Sequence, residues 1–174
     1  KVLPNGHSVL GTKASIHTGY APLPEYEAEL AELYGADQAR ALLSFSPQNT
    51  VFYPSAAFKT SPSLIRVLRP LGPDRTLIEV WALAPKGAPR RLRQRAASYV
   101  RLVFSPMSVV AHDDVHLFES QQNGLRSDGN EWVSLHRGHK ADETQMPELT
   151  LENGNNEIMM RNQYRGWLRL MDPA

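Results

Sequence analysis

The segment at residues 111–125, AHDDVHLFESQQNGL, holds the most concentrated set of side chains that could do chemistry. His112 and His116 are four residues apart, and the adjacent pair Asp113 and Asp114 lies between them. Imidazole nitrogens and carboxylate oxygens are common protein donors to zinc and non-haem iron. In a helix, at about 100° per residue, Asp114 shares a face with the apolar side chains that follow it, and both histidines lie opposite. The helical phase therefore predicts that Asp114 points inward, where a metal is one possible partner.

An ionised carboxylate on an apolar helix face needs compensation, because burying it without a partner costs several kcal/mol. A metal cation, an arginine or protonation of Asp114 would each compensate the charge. A further interpretation is that Asp114 caps a helix whose phase is shifted, so that it does not point inward. His112 and His116 have the spacing of a chelating pair, but polar neighbours on their side of the helix favour solvent-facing histidines. The other histidines show no metal-site spacing and are expected in loops or at the surface: His7, His17, His136 and His139.

The composition of the chain removes several function classes. Its 174 residues are 41% hydrophobic and 21% charged, as in one ordinary folded domain. The formal net charge is +1, so no overall field attracts nucleic acid or an anionic membrane. The sequence contains no cysteine, which excludes disulfides, zinc–thiolate sites, iron–sulfur clusters and cysteine nucleophiles from it. No apolar run is long enough to span a membrane, and we expect a cytoplasmic location.

The elements that must position these side chains follow from periodicity and from Pro and Gly signals. Helices are predicted from Pro24 to a stop at Gly35, after a cap at Asp37, from near Pro89, over 113–125 and over 156–171. Strands are predicted at 7–12, at 50–58 with an interruption at Pro54, at 63–69 and at 76–83. The last two strands flank a Gly-Pro-Asp turn, which indicates an antiparallel hairpin.

Two of the helices have patterns that assign a face to the core. The helix near Pro89 carries an apolar stripe, and its arginines between Arg90 and Arg101 indicate a solvated face or a subunit contact. The predicted core face of the last helix consists of Met160, Tyr164, Trp167, Leu168 and Met171. An antiparallel sheet with helices on one side follows, which is the α+β class.

Several stretches, in one order, resemble the C-terminal catalytic domain of the alpha subunit of Rieske-type aromatic-ring-hydroxylating dioxygenases. They are Val103-Phe104-Ser105-Pro106, His112-Asp113-Asp114, Phe118-Glu119, Gln122-Asn123-Gly124-Leu125 and Glu131-Trp132-Val133-Ser134-Leu135-His136-Arg137-Gly138. Upstream, Asn49 to Ser55 and Glu79-Val80-Trp81 are similar to strands of the family, and residues 156–171 are similar to its last helix. The resemblance runs from about residue 45 to the end, and residues 1–44 fit more loosely.

The resemblance implies a helix-grip (Bet v 1-like) fold, here incomplete, in which a curved antiparallel sheet wraps a long helix over a cavity. It also implies a mononuclear Fe(2+) ion held by two histidines and one aspartate. The aspartate of the family corresponds to Asp114. Phe104 matches a phenylalanine that lines the substrate cavity of the family, and Val110 and Asn49 are expected near the same pocket.

The implied activity is the cis-dihydroxylation of an aromatic ring with O2. Electrons would come from NAD(P)H through a reductase, a ferredoxin or both, and then through a Rieske [2Fe-2S] cluster. The implied assembly is a homotrimer, or an α3β3 complex with a small beta subunit. Neither nucleic acid nor a membrane is expected as a partner.

Two parts of the family pattern have no counterpart in this sequence. The two iron-ligand histidines are missing, and a chain without cysteine cannot hold the Rieske cluster, which would belong to the full-length protein only. Residues 1–174 are therefore predicted to be the C-terminal part of the catalytic domain of a longer alpha subunit, inactive alone. A split or degenerate protein is the alternative. The functional alternatives are a non-catalytic helix-grip module that binds an apolar ligand without iron, and a structural subunit of the oxygenase.

Overall fold

The computed structural model of the chain describes residues 1–11, 23–44, 49–60, 63–84, 86–129, 131–141, 143 and 152–172. In these residues, helices accompany one five-stranded antiparallel sheet, which is the predicted α+β class. The strands are β1 (Ser8–Leu10), β2 (Asn49–Phe52), β3 (Ala56–Thr60), β4 (Ser63–Gly72) and β5 (Arg75–Ala82). The helices are α1 (Pro24–Tyr34), α2 (Ala36–Leu43), α3 (Arg90–Phe104), α4 (Val109–Gly124) and α5 (Ile158–Met171), and a 3-10 turn (Pro4–Gly6) precedes β1.

β2 to β5 are joined by consecutive hairpins, and β1 pairs with β2 across the segment that contains α1 and α2, so the strand order β1-β2-β3-β4-β5 repeats the order in the chain. Pro54 lies in the turn between β2 and β3, where the sequence predicts an interruption. Pro73 and Asp74 form the turn between β4 and β5. The register pairs Val67 with Glu79, and the predicted antiparallel hairpin is thereby confirmed.

One face of the sheet lies under α3. Directly opposite residues of antiparallel strands point to the same face, so Lys59 and its partner Leu64 share a face with Ala57 and its partner Arg66. Leu64 is fully buried there. The guanidinium carbon of Arg66 lies 5.0 Å from the centre of the Phe104 ring at the end of α3. The layer between α3 and this face, which we call the α3 layer, is thus part of the core.

The apolar stripe of α3 packs inward as predicted. Its members are half-buried: Leu92, Ala96, Tyr99, Val100 and Val103. The arginines on the other side are mostly exposed, and Arg91 pairs with Glu25 of α1 at 2.6 Å. Most arginines of this helix therefore lie outside the core, as both predicted alternatives require.

The start of α4 differs from the prediction by four residues. The helix begins at Val109 because Ser108 is its N-cap, and the Ser108 hydroxyl accepts a hydrogen bond from the Ala111 amide at 2.9 Å. The same hydroxyl donates to the Val103 carbonyl at 2.6 Å, near the end of α3. Ser108 is buried and connects the two helices. The predicted start at Asp113 is wrong, since Asp113 lies in the second turn.

A single residue joins α1 and α2. Gly35 ends α1 as predicted, with φ 83°, and it is also the N-cap residue of α2. Asp37 lies in the first turn of α2, so its predicted role as the cap is wrong. Leu30 and Ala39 are the buried residues of this helical pair.

α5 packs against the turn before β1 through its polar face. The side-chain amide of Asn162 donates to the carbonyls of Leu3 and His7, both at 3.0 Å. At Gly166 an added Cβ atom would come within 3.0 Å of the backbone of Asn5 and Gly6, so only glycine fits without a shift. The predicted core face of α5 is wrong, because all five of its apolar residues are at least 46% exposed. Polar anchoring, rather than the apolar stripe, decides which face packs.

None of the helices in the described ranges combines the length and the apolar composition needed to cross a membrane.

Candidate functional site around α4 and the α3 layer

Asp114 lies in the second turn of α4, and its side chain is half-buried. It forms no hydrogen bond or ion pair with any other residue that the structure describes. Leu117 and Phe118, on the same face, are 53% and 48% exposed. The predicted inward orientation is thus met only in part, since Asp114 is half-buried but its apolar neighbours are about half exposed. The arginine partner considered for Asp114 is not seen in the described residues.

A hollow of about 470 Å³ opens on the other flank of α4. Its wall consists of Pro106, Met107, Ser108, Val109, His112, Asp113 and His116. Both histidines are exposed, as the polar neighbours predicted. No three His, Cys, Asp or Glu side chains come together as a potential metal site among the described residues. The histidine flank therefore lacks the donor set of a metal site in this part of the chain.

The three predicted pocket residues lie on three elements. Phe104 ends α3 and is half-buried beneath Arg66. Asn49 begins β2 directly opposite Lys59, which places it on the sheet face that α3 covers. Val110, in the first turn of α4, is 49% exposed. The structure thus brings Phe104 and Asn49 to the two sides of the α3 layer.

Two cations in the α3 layer were missed by sequence reasoning. Lys59 is only 5% exposed, and its Nζ atom donates to the Tyr99 hydroxyl at 3.3 Å. Arg66 is half-buried, and its Nε atom is buried without a hydrogen-bond partner. The sequence could have indicated the burial of Arg66, because Arg66 alternates in phase with Leu64 and Leu68 and must share their side of the strand.

The strongest electrostatic network of the described residues lies beside α5. The Glu143 carboxylate accepts hydrogen bonds from Arg161 at 2.8 Å and from Arg165 at 3.0 Å. Arg161 also donates to the Leu135 carbonyl. Burial by itself raises the pKa of Glu143, but the hydrogen bonds and positive charges of Arg161 and Arg165 outweigh it and hold the pKa below its ordinary value. This network is fully paired and structural, and it was not predicted.

A second, exposed pair flanks this network. Glu157 accepts hydrogen bonds from the side chain and the backbone amide of Arg137, at 2.7 Å and 3.0 Å. These bonds lower the pKa of Glu157. Asp114 differs from both glutamates, because Glu143 and Glu157 each have an arginine partner and Asp114 has no partner among the described residues.

A second hollow, of about 400 Å³, lies along the exposed side of α5. Its wall consists of Tyr53, Leu135, Met160, Gln163, Tyr164 and Trp167. None of the described residues that line it is charged, and so the apolar stripe that the sequence assigned to the core here borders an open groove.

The described residues do not form an iron site by themselves. A mononuclear iron of the two-histidine, one-carboxylate type needs three converging donors, and no such group occurs in the described ranges. Asp114 can contribute one donor, because it is half-buried and its carboxylate has no partner among the described residues. The donor chemistry thus fits one ligand of the three.

Comparison with known families gives one match over nearly the whole chain. The model of the ring hydroxylating alpha subunit (catalytic domain) family matches residues 6–172. The 2-halobenzoate 1,2-dioxygenase large subunit of Burkholderia cepacia is 27% identical over 135 residues, which cover 77% of this chain and 29% of that protein. The toluate 1,2-dioxygenase subunit alpha of Pseudomonas putida is 30% identical over 109 residues, which cover 62% of this chain and 24% of that protein.

Solved structures agree on the fold. Naphthalene 1,2-dioxygenase from Rhodococcus sp., bound to indole, aligns with a TM-score of 0.67 and 18% identity, over 97% of this chain and 43% of that one. A second naphthalene 1,2-dioxygenase, with indole in its active site, aligns with a TM-score of 0.55 and 19% identity, over 81% and 32%. The helix-grip prediction is thereby confirmed. The chain spans less than half the length of each of these relatives.

Proposed function

The chain belongs to the ring-hydroxylating alpha-subunit family, and on that premise we propose that it is part of an oxygenase component that cis-dihydroxylates an aromatic ring. The match of the family's catalytic domain over residues 6–172 is the observation that carries this proposal. The resemblance seen in the sequence is confirmed at the level of the family. The non-catalytic ligand-binding alternative is not favoured, because the matched proteins are named as dioxygenases.

Residues 1–174 are, in this proposal, the C-terminal part of a catalytic domain. The remaining iron ligands and the [2Fe-2S] Rieske cluster belong to other parts of the full-length protein. This division agrees with the share of each relative that the chain covers, between 24% and 43%. It also agrees with the single shielded and unpaired carboxylate of α4.

Asp114 is proposed as the carboxylate ligand of a mononuclear Fe(2+) ion. When bound, the iron supplies the activation of O2. The role of Asp114 is to bind through one anionic oxygen and so reduce the positive charge of the ion. No further protein partner competes for this carboxylate in the described residues, which leaves it available as a ligand.

Phe104, Asn49 and Val110 are proposed to border the substrate. The Phe104 ring lies at the edge of the α3 layer, where a second aromatic ring can pack against it and exclude water. The relatives are named for a halobenzoate, a toluate and naphthalene. The substrate proposed for this chain from these names is an aromatic ring compound.

The reaction needs two electrons and two protons besides the ring and O2, since both oxygen atoms enter the product as hydroxyl groups. The proposed electron source is NAD(P)H, through a reductase, with or without a ferredoxin, and then the Rieske cluster. The proposed assembly is a homotrimer or an α3β3 complex in the cytoplasm.

The decisive experiment replaces Asp114 in the full-length oxygenase. We expect Asp114→Ala to lose the mononuclear iron and the turnover of an aromatic substrate, while the visible spectrum of the Rieske cluster stays unchanged. Asp113→Ala is the matched control, because Asp113 is the adjacent carboxylate on the other flank of α4 and should keep both iron and activity. Unchanged iron content in Asp114→Ala would contradict the assignment.

A further inference from the structure

Two positive side chains converge in the α3 layer. Lys59 and Arg66 are diagonal neighbours on adjacent strands, because Lys59 is opposite Leu64 and Arg66 lies two residues further along β4. Such positions are about 7–8 Å apart. Lys59 is buried against Tyr99, with its Nζ atom 5.3 Å from the ring centre, and Arg66 lies over Phe104. Both cations therefore lie in the α3 layer, Lys59 against Tyr99 and Arg66 against Phe104.

Among the described residues, neither α3 nor the sheet face beneath it places a carboxylate against this pair. α3 reads RRLRQRAASYVRLVF and contains no acidic residue. The register places these residues on the same sheet face: Ser8, Leu10, Asn49, Val51, Ala57, Leu64, Leu68, Ile78, Val80 and Ala82. None of them is acidic. Within the residues that the structure describes, neither Lys59 nor Arg66 takes part in an ion pair, whereas Arg69 on the opposite face of β4 pairs with Glu79.

This arrangement is selective for an anion. A shielded cation without an opposite charge is costly, and the π faces of Tyr99 and Phe104 compensate it only in part. The Nε atom of Arg66 is a buried donor that still lacks an acceptor. A carboxylate supplies that acceptor, since its two oxygens match the donor fork of a guanidinium.

We propose that Arg66 and Lys59 bind the carboxylate of the substrate, so that the substrate is an aromatic acid whose ring packs beside Phe104. This inference rests on the proposed function, in which Phe104 borders the substrate, and it narrows the aromatic ring compound to a carboxylated one. Arg66 and Lys59 are specificity residues in this scheme, since they hold a group that does not react.

The test compares benzoate with nitrobenzene, which has nearly the same shape but no charge, as substrates of the full-length oxygenase. We expect the unmodified enzyme to have the lower KM for benzoate. Arg66→Gln and Lys59→Met should each raise the KM for benzoate by about tenfold, with a small change in kcat. The KM for nitrobenzene should stay within about twofold. Arg69→Gln, which changes the neighbouring arginine on the opposite face of β4, should leave both KM values unchanged.

A conservative variant and a binding measurement distinguish anion binding by Arg66 from a structural role and from turnover. Arg66→Lys should restore part of the benzoate selectivity, which a purely structural defect would not allow. Calorimetric titration of the unmodified enzyme and of Arg66→Gln with benzoate, without O2 or reductant, separates binding from turnover. Benzoate binding that depends on Arg66 without oxidation of any aromatic compound would overturn the proposed function and support the anion site. Oxidation of nitrobenzene with no preference for benzoate, or equal loss of both substrates in Arg66→Gln, would overturn the anion site and leave the function standing.

Discussion

α5 and α4 are helices of 14 and 16 residues that attach to the protein in opposite ways. α5 is held by its polar face, where Glu143 and two arginines form a paired network and Asn162 binds two backbone carbonyls. α4 is held at its start by Ser108, and its candidate ligand Asp114 has no partner in the described residues. Polar groups with partners thus belong to the scaffold here, whereas those without partners lie at the candidate site.

Removing the Glu143 carboxylate should have the largest effect on the attachment of α5. Glu143→Leu leaves Arg161 shielded without its counter-charge, and such a loss costs about 3–5 kcal/mol. We expect the amides of α5 to exchange with deuterium much faster in this variant. Glu25→Leu is the control, because the Glu25–Arg91 pair is exposed and contributes only about 0–1 kcal/mol. Equal effects of the two variants would contradict the assignment of Glu143 as an anchor.

Gly166 tests the close approach of α5 to the turn before β1. Gly166→Ala puts a methyl group 3.0 Å from the backbone of Asn5 and Gly6, and the strain should cost about 1–3 kcal/mol. Gly124→Ala on α4 is the matched control, because no atom lies within 4 Å of the added Cβ there. We expect the control to be neutral or slightly stabilising, measured as protection of each helix against hydrogen exchange. A destabilised Gly124→Ala helix would show that α4 is more tightly packed than its exposure indicates.

Ser108 tests how the start of α4 is held in place. Ser108→Ala removes the hydrogen bond to the Ala111 amide, and we expect a loss of about 1 kcal/mol. The loss should appear as faster exchange of the first amides of α4 and leave α5 unchanged. Ser108→Thr keeps the hydroxyl and should retain most of the protection. An unchanged exchange pattern in Ser108→Ala would contradict its role as the cap.

Lowering the pH should weaken the attachment of α5 gradually. The pKa of Glu143 is lowered in the folded protein, so its contribution to stability is full above the ordinary value of 4.5 and is lost as the pH falls through the lowered pKa. Protection factors of α5 should therefore fall at acidic pH, and Glu143→Leu should remove most of that dependence. A wild-type α5 that stays equally protected down to the lowest pH at which the protein remains soluble would contradict the network.

Local signals predicted the framework well. Pro24 and Gly35 bound α1 as expected, and the Gly-Pro-Asp turn produces the β4–β5 hairpin, because turn residues act through their own backbone angles. The start of α4 was missed because Ser108 acts as the cap ahead of two valines. The burial of Lys59 and Arg66 depends on which sheet face α3 covers, and that is a property of distant segments.

The orientation of α5 shows the limit of periodicity. The pattern identifies correctly that Tyr164 and Trp167 share an apolar side, but it does not say which side finds a neighbour. That choice depends on Glu143, which is 15 residues before the helix begins at Ile158. The candidate role of Asp114 came from resemblance and helical phase together, and it stays a prediction.

The hydrogen bonds of Asn162 to Leu3 and His7 connect positions more than 150 residues apart. The hairpins between them pair neighbours in the chain and can form as soon as each is synthesised. Closure of α5 onto the opening turn must wait until its own residues emerge from the ribosome. We expect a nascent chain arrested before α5 to contain the folded hairpins of β2 to β5, while the turn before β1 still lacks its contact with α5. This form should be cleaved most readily by proteases and bound most readily by chaperones.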